Sequence, residues 1–280
     1  MNLQFFGDLF PVENIKLPDD VTHSDIAFIN LEVPITQSEK KILKAGPNLK
    51  TNRELFEKII TQFKGKVFVN IANNHMGDFG EEGIQETINI LDELGIMYSG
   101  VSKNNQIQPY FIENIAILSF CEKQFGLSDF NKLGVNYFTP EIYKSIYDLH
   151  NLGYKVILAT HIAEEMIIWQ SPYIQKLFHS FIDSGADIIW NTHSHVPQGY
   201  EKYKDKLILY GNGNFIMDTS RWTEKNTCWS YCYEYNFDKL NVMELTVKDN
   251  TILCNELKGL VCMPSLQHDA ISNHLINNSN

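Results

Sequence analysis

The stretch Ala186-Asp187-Ile188-Ile189-Trp190-Asn191-Thr192-His193-Ser194-His195-Val196 decides the fold. Entered from Gly185, it stays apolar for a few residues and leaves into His-x-His, so it reads as a buried strand ending in two imidazoles. Imidazole is the commonest nitrogen ligand of zinc, manganese and iron, and a loop just past a strand can aim two rings at neighbouring points. Alone, His-x-His is weak evidence and fits surface or packing histidines equally well. The rest of the chain changes that balance.

Working outward, the strand is preceded by a helix pattern with Ser171-Pro172 as its opening, Ile174, Leu177, Phe178, Phe181 and Ile182 as its face, and Gly185 as its stop. The same rhythm occurs earlier. Thr51 with Glu54 reads as a capping box before Leu55, Phe56, Ile59, Ile60 and Phe63, with Gly65 as stop and residues 66–72 as strand. Residues 81–94 carry Ile84, Ile88 and Leu91 on one face, and Gly95 follows. Thr139-Pro140 opens a helix faced by Ile142, Ile146 and Leu149, stopped at Gly153 and followed by strand 154–160. Such alternation predicts an α/β core, a sheet covered by helices. Residues 109–113 and 115–120 read as two strands turning at Glu113-Asn114. Beyond residues 207–211 the pattern becomes strands alone, at 231–237, 242–247 and 251–257, a strand-rich C-terminal part of the same unit. One domain over residues 1–262 is expected, with 263–280 a polar, loose tail. Residues 36–50, rich in lysine and turning at Gly46-Pro47, read as a loop open to movement.

Composition narrows the function. The formal charge is −11 and the arginines are Arg53 and Arg221, so the basic stripe that nucleic acid requires is missing. No apolar run reaches membrane-spanning length, and Met1-Asn2-Leu3-Gln4-Phe5-Phe6 lacks the basic start and apolar core of a secretion signal. A cytoplasmic location is therefore expected. Cysteines 121, 228, 232, 254 and 262 form an odd, scattered set that suits reduced thiols better than a disulfide frame.

The ligand-type residues fall on this map in a pattern. Asp8 follows the first strand, Glu32 the second, Asn74 and His75 the third, His161 the strand at 154–160, and His193 and His195 the strand at 186–191. In α/β sheets, ligands bind outside the carboxyl ends of the strands. Taken singly, each residue has a bland reading as a cap, a turn or a solvated group; five strand ends together do not. The oxygen and nitrogen set suits Mn, Fe or Zn and excludes a thiolate site.

Gly7-Asp8, Asn30-Leu31-Glu32, Asn73-Asn74-His75-x-x-Asp78-x-Gly80, His161-x-x-x-Glu165, Gly185-Ala186-Asp187 with His193-x-His195-Val196, and Tyr210-Gly211-Asn212-Gly213-Asn214-Phe215 resemble, in order and spacing, the CapA family. These are the poly-γ-glutamate capsule biosynthesis proteins, a branch of the calcineurin-like metallophosphoesterases. The resemblance covers about residues 3–218. It implies a four-layer α/β/β/α sandwich of the metallophosphoesterase type, with one or two divalent transition metals at the strand ends. Carried over residue by residue, it implies Glu32 as the bridging carboxylate, Asp8 and His195 on one metal, and Asn74, His161 and His193 on the other. His75 would assist the leaving group, Asp78 would orient it, and Glu165 would support the metals from outside or act as acid/base.

Three departures qualify this. Phe10 stands where the general pattern has a histidine, Glu32 replaces an aspartate, and Ile162-Ala163 replace Trp-Gly. The membrane anchor and export segment common in the family are missed as well. The reading is a metal-dependent hydrolase of capsule or anionic-polymer biosynthesis, cleaving a phosphoester or a γ-glutamyl-type amide. Its alternative is a non-catalytic capsule-assembly component that binds an anionic polymer and meets other capsule-synthesis proteins. An anionic substrate needs a basic or polar rim, for which Arg221, Arg53 and Asn214 are the candidates.

Overall fold

Successive residues of the central strands face opposite ways, and both faces are apolar, so each sheet must be covered twice. In the computed structural model, which describes residues 1–217, 229–248 and 250–257, this requirement is met by two sheets stacked between two helical layers. The elements in chain order are β1 (Leu3–Leu9), α1 (Asp19–Thr22), β2 (Ile26–Leu31), α2 (Arg53–Ile60), β3 (Lys66–Asn70), α3 (Gly80–Glu93) and β4 (Met97–Ser99). There follow β5 (Val101–Lys103), β6 (Tyr110–Ile112), β7 (Ile115–Cys121), β8 (Leu133–Val135), α4 (Glu141–Asn151), β9 (Lys155–His161), α5 (Pro172–Asp183) and β10 (Ile188–Thr192). The chain continues through β11 (Tyr200–Tyr203), β12 (Lys206–Leu209), β13 (Asn214–Ile216), β14 (Trp229–Tyr235), β15 (Leu240–Lys248) and β16 (Thr251–Glu256).

The first sheet has the order β16-β15-β14-β1-β2-β3-β4, with β13 also paired to β1. The second has the order β11-β12-β10-β9-β7-β6. Strands β1 to β4 run parallel, as do β7, β9, β10 and β12, and antiparallel strands β16, β11 and β6 close the other edges. Phe5, Phe28 and Phe68 point into the inter-sheet core with Trp190, while their neighbours Phe6, Ile29 and Val69 point to the helices α2 and α3. Fully burying one such phenylalanine is worth about 1.5–3 kcal/mol. Trp190 also donates its indole N–H to the Phe6 carbonyl at 2.8 Å, a bond that ties the two sheets together. On the far side α4 and α5 cover the second sheet through Ile142, Ile146, Phe178 and Phe181. The result is the four-layer α/β/β/α sandwich that the resemblance implied.

The C-terminal strands extend the first sheet through the β14–β1 pairing, and β15 and β16 turn on each other near Asn250. Residues 263–280 and Arg221 lie outside the described residues. Among the described residues no helix is long and apolar enough to cross a membrane.

Three local expectations need correction. The cap of α2 is Asn52, whose side chain accepts from the Leu55 N–H, not Thr51. Thr51 instead donates its hydroxyl to the Pro11 carbonyl at 2.6 Å and sits in a bridge with Ile35, so tertiary contacts outweigh the local capping signal. Helix α4 begins one residue later than expected, with Pro140 in the cap position. Residues 36–50 are pinned rather than loose: the Ile42 N–H donates to the Asp78 carbonyl at 3.0 Å, and Leu49 N–H to the Asp78 carboxylate at 2.7 Å.

Candidate metal centre

The parallel register brings the strand-end residues abreast. Asp8 pairs with Asn30 on one side and Asn214 on the other, Asn30 with Asn70, and His161 with Thr192. Because β1 and β2 lie in one sheet and β9 and β10 in the other, the ends of both sheets face one another. Asp8, Glu32, Asn74, His161, His193 and His195 are all buried there.

Local features explain how each side chain arrives. Gly7 lies so close to β13 that a Cβ would sit 1.7 Å from the Gly213 carbonyl oxygen, so glycine lets the strand place Asp8 beside Asn214. Asn73 builds the turn after β3, accepting from the His75 and Met76 N–H groups at 3.1 and 2.8 Å, which leaves Asn74 to project inward. His193 and His195 both have positive φ, 91° and 55°, a costly backbone state for a non-glycine residue that clusters at functional sites. Asn191 braces the turn after β9, accepting from the Ile162 N–H at 3.1 Å and donating to the Ile162 carbonyl at 2.9 Å.

The hydrogen bonds decide which ring atoms face inward. The Thr192 hydroxyl donates to the Thr160 carbonyl at 3.2 Å, so its oxygen accepts from His161 Nδ1 at 2.8 Å. His161 Nε2 is then a lone pair, and it faces the Asn74 Oδ1 acceptor at 3.1 Å and Glu32 Oε2 at 3.7 Å. His195 turns Nδ1 to Asn214 Oδ1 at 2.9 Å and Asp8 Oδ2 at 3.3 Å, which leaves Nε2 4.0 Å from Glu32 Oε1. Glu32 thus spans the cluster, one oxygen toward each imidazole. Asp8 Oδ2, Glu32 Oε1 and His193 Nδ1 are buried without a hydrogen-bond partner. Lone pairs facing lone pairs, with orphaned acceptors among them, fit a bound cation. Asp8, Glu32 and His161 offer ligand atoms within 4.8 Å of one another, as do Glu165, His193 and His195.

Electrostatics agree with that fit. Burial, reinforced by the Asp8 charge, pushes the Glu32 carboxyl well above the usual carboxylate range. Burial, reinforced by His193 and His195, holds His161 well below the usual imidazole range. Burial also opposes charge on His195, but the Asp8 carboxylate beside Nδ1, 3.3 Å away, prevails and pushes it up to about 10.

Beside the cluster, His75 Nδ1 meets the Asp78 carboxylate at 2.8 Å. Glu165 stands at the rim, half exposed, with Oε1 3.9 Å from His193 Nε2. Phe10 packs with Val33, Leu49 and Met217, so position 10 offers no donor. Arg53 lies on the helical face and pairs with Glu57 and Glu93, and Asn214 is engaged with His195.

Three contributors gain a role only from the structure. Lys44 buries its ammonium against Asp78, 3.1 Å from His75 Nδ1. Asn30 donates to Asp8 Oδ1 and to Glu32 Oε2, each at 2.8 Å. Glu122 at the end of β7 accepts from the Ala163 N–H at 3.1 Å and lies 3.6 Å from His193 Nε2. Glu122 and Asn30 share one usable signal, a polar side chain at the end of a largely apolar strand.

Residues 15–219 match the model of the family described as bacterial capsule synthesis protein PGA_cap. The chain belongs to this family. A capsule biosynthesis protein CapA of Bacillus anthracis is 30% identical over 220 residues, 72% of this chain and 52% of that protein. A PGA biosynthesis protein CapA of Bacillus subtilis (strain 168) is 30% identical over 212 residues, 71% of this chain and 55% of that one. The PGA_cap chain thus spans about half the length of the curated relatives it matches. Among solved structures, one described as a novel phosphatase of Mycoplasma pneumoniae is similar at a TM-score of 0.44 and 11% identity, covering 97% of this chain and 98% of that one. A likeness that low carries no functional weight.

Proposed function

We propose that this PGA_cap protein is a metal-dependent hydrolase acting on an anionic substrate of capsule or polymer assembly, with a phosphoester or a γ-glutamyl-type amide as the bond cleaved. The observation that supports it most is the facing of acceptors: His161 Nε2 against Asn74 Oδ1, with Asp8 Oδ2, Glu32 Oε1 and His193 Nδ1 orphaned nearby. Asp8, Glu32 and His195 would hold one divalent ion, and Glu32, Asn74, His161 and His193 a second. Such ions, when bound, supply Lewis acidity toward an oxyanion and toward water near neutral pH.

The chain's own groups supply the rest. Asp78 and Lys44 occupy the Nδ1 side of His75, so Nε2 is the end available to pass a proton to a leaving group. Burial draws His75 below its usual range against the raising influence of Asp78, which keeps the ring neutral near pH 7 with its proton on Nδ1, so Nε2 must first take a proton, from the attacking water, before it can pass one to the leaving group. Glu165, at the rim, is a second group able to move a proton. Arg221 remains the proposed contact for a substrate anion.

The apolar seat of Phe10 favours a second reading, a non-catalytic assembly component that binds an anionic polymer on the same fold. Assay of a generic phosphodiester and a γ-glutamyl amide, with and without added Mn²⁺ or Zn²⁺, separates the two. Metal-dependent turnover supports the hydrolase; bound metal with no cleavage of either substrate supports the binding component.

A further inference from the structure

Asn30 is fully buried at the end of β2, between the two carboxylates of the cluster. Its single amide nitrogen lies 2.8 Å from Asp8 Oδ1 and 2.8 Å from Glu32 Oε2. A carboxamide nitrogen has two hydrogens, so each carboxylate receives one. The other end of the amide is fixed as well, because Asn30 Oδ1 accepts from Asn70 Nδ2 at 2.9 Å. Asn70 in turn is oriented by the Ala72 N–H, which donates to its Oδ1 at 3.2 Å. That contact identifies the oxygen of Asn70, hence its nitrogen, hence the oxygen and nitrogen of Asn30. The chain of amides therefore has one consistent direction, running from the Ala72 backbone to the two acids.

We propose that Asn30 is a positioning residue that orients the two carboxylates of the centre, holding Asp8 Oδ1 and Glu32 Oε2 so that Asp8 Oδ2 and Glu32 Oε1 face the ion shared with His195, while Glu32 Oε2 keeps a second lone pair toward His161. Asp8 Oδ2 and Glu32 Oε1 are the two carboxylate oxygens of the cluster left buried without a hydrogen-bond partner. The neutral amide also separates two buried acids without adding a charge, which a lysine or arginine would do at the expense of cation binding. Outer partners of this kind fix ligand orientation, and their loss typically weakens metal binding about 10–100-fold. The inference rests on the metal-centre reading but not on catalysis.

The test is cobalt(II) titration of metal-free protein, followed by its visible absorption spectrum, in wild type, Asn30→Leu and Asn70→Ala. Asn30→Leu keeps the branched outline of the side chain and removes both donors. Asn70→Ala leaves the donors and frees the amide to turn. A 10–100-fold weaker binding in Asn30→Leu, a smaller loss in Asn70→Ala and an altered absorption band in both support the proposal. Wild-type ¹⁵N spectra supply a check that needs no variant: both side-chain amide protons of Asn30 should resist exchange and shift together as Zn²⁺ is titrated into the metal-free protein. Variants that bind cobalt like wild type, or Asn30 amide protons that exchange freely and do not move with Zn²⁺, overturn it. Absence of cobalt binding by wild type overturns the metal-centre reading itself.

Discussion

Lys44 and Asp78 form an ion pair that is buried on both sides, with side-chain exposures of 1% and 0%. The pair fastens residues 36–50 to the turn that carries Asn74 and His75. Asp78 Oδ2 also accepts from the Leu49 N–H at 2.7 Å and meets His75 Nδ1 at 2.8 Å, so one carboxylate holds the loop and the imidazole together.

Removing one partner of a buried pair leaves an uncompensated charge, at a typical cost of about 3–5 kcal/mol. Lys44→Met should therefore lower the urea midpoint strongly, while Lys40→Met, at an exposed pair with Glu82, should change it little. Equal effects of the two substitutions would show that Asp78 does not depend on Lys44.

The metal-free protein should be most stable near pH 6.5. His161 and His75 are held below their usual value, so the unfolded chain binds more protons than the folded one as pH falls below 6.5, and stability is lost there. His195 is raised to about 10, so the folded chain binds more protons between 6.5 and about 10, and stability falls as pH rises through that window. Glu32, also raised, acts in the same direction as His195. Thermal melts in chelator from pH 5 to 9.5 should show this maximum. A melting temperature that climbs steadily to pH 9 would contradict it.

Much of this arrangement was legible in the sequence, and the reason is topological. Asp8, Glu32, Asn74, His161, His193 and His195 each follow an apolar run, and parallel strands bring such ends to one rim. Lys44 was not legible, because nothing in residues 36–50 distinguishes it from Lys40, Lys41 and Lys50; its burial is decided by Asp78, on a separate turn. Asn30 was visible only as part of a motif, since its role depends on which oxygens it touches. Thr51 misled for the opposite reason: the local capping pattern was present, but the Pro11 carbonyl claimed its hydroxyl.

Gly7→Ala should damage the centre through the backbone. The added methyl meets the Gly213 carbonyl oxygen at 1.7 Å, so β1 and β13 must separate, and with them Asp8 and Asn214. Overpacking of this kind costs about 1–3 kcal/mol, occasionally more. Denaturant unfolding and cobalt affinity should both fall; unchanged values in both would remove Gly7 from the account.

His75→Ala should retain metal and fold while turnover drops about 10²–10⁴-fold, the usual worth of a general acid or base. Metal analysis of the same preparation checks the assignment. Loss of metal would make His75 a ligand, and full activity would make it irrelevant.

The central claim is that Asp8, Glu32, Asn74, His161, His193 and His195 hold transition metal. Elemental analysis of protein purified without chelator tests it most directly, with His161→Ala measured in parallel. The account predicts on the order of one tightly held transition-metal ion per chain, a weaker second ion on supplementation, and loss of the tight ion in His161→Ala. Protein free of transition metal before and after supplementation, or metal retained in full by His161→Ala, would contradict it.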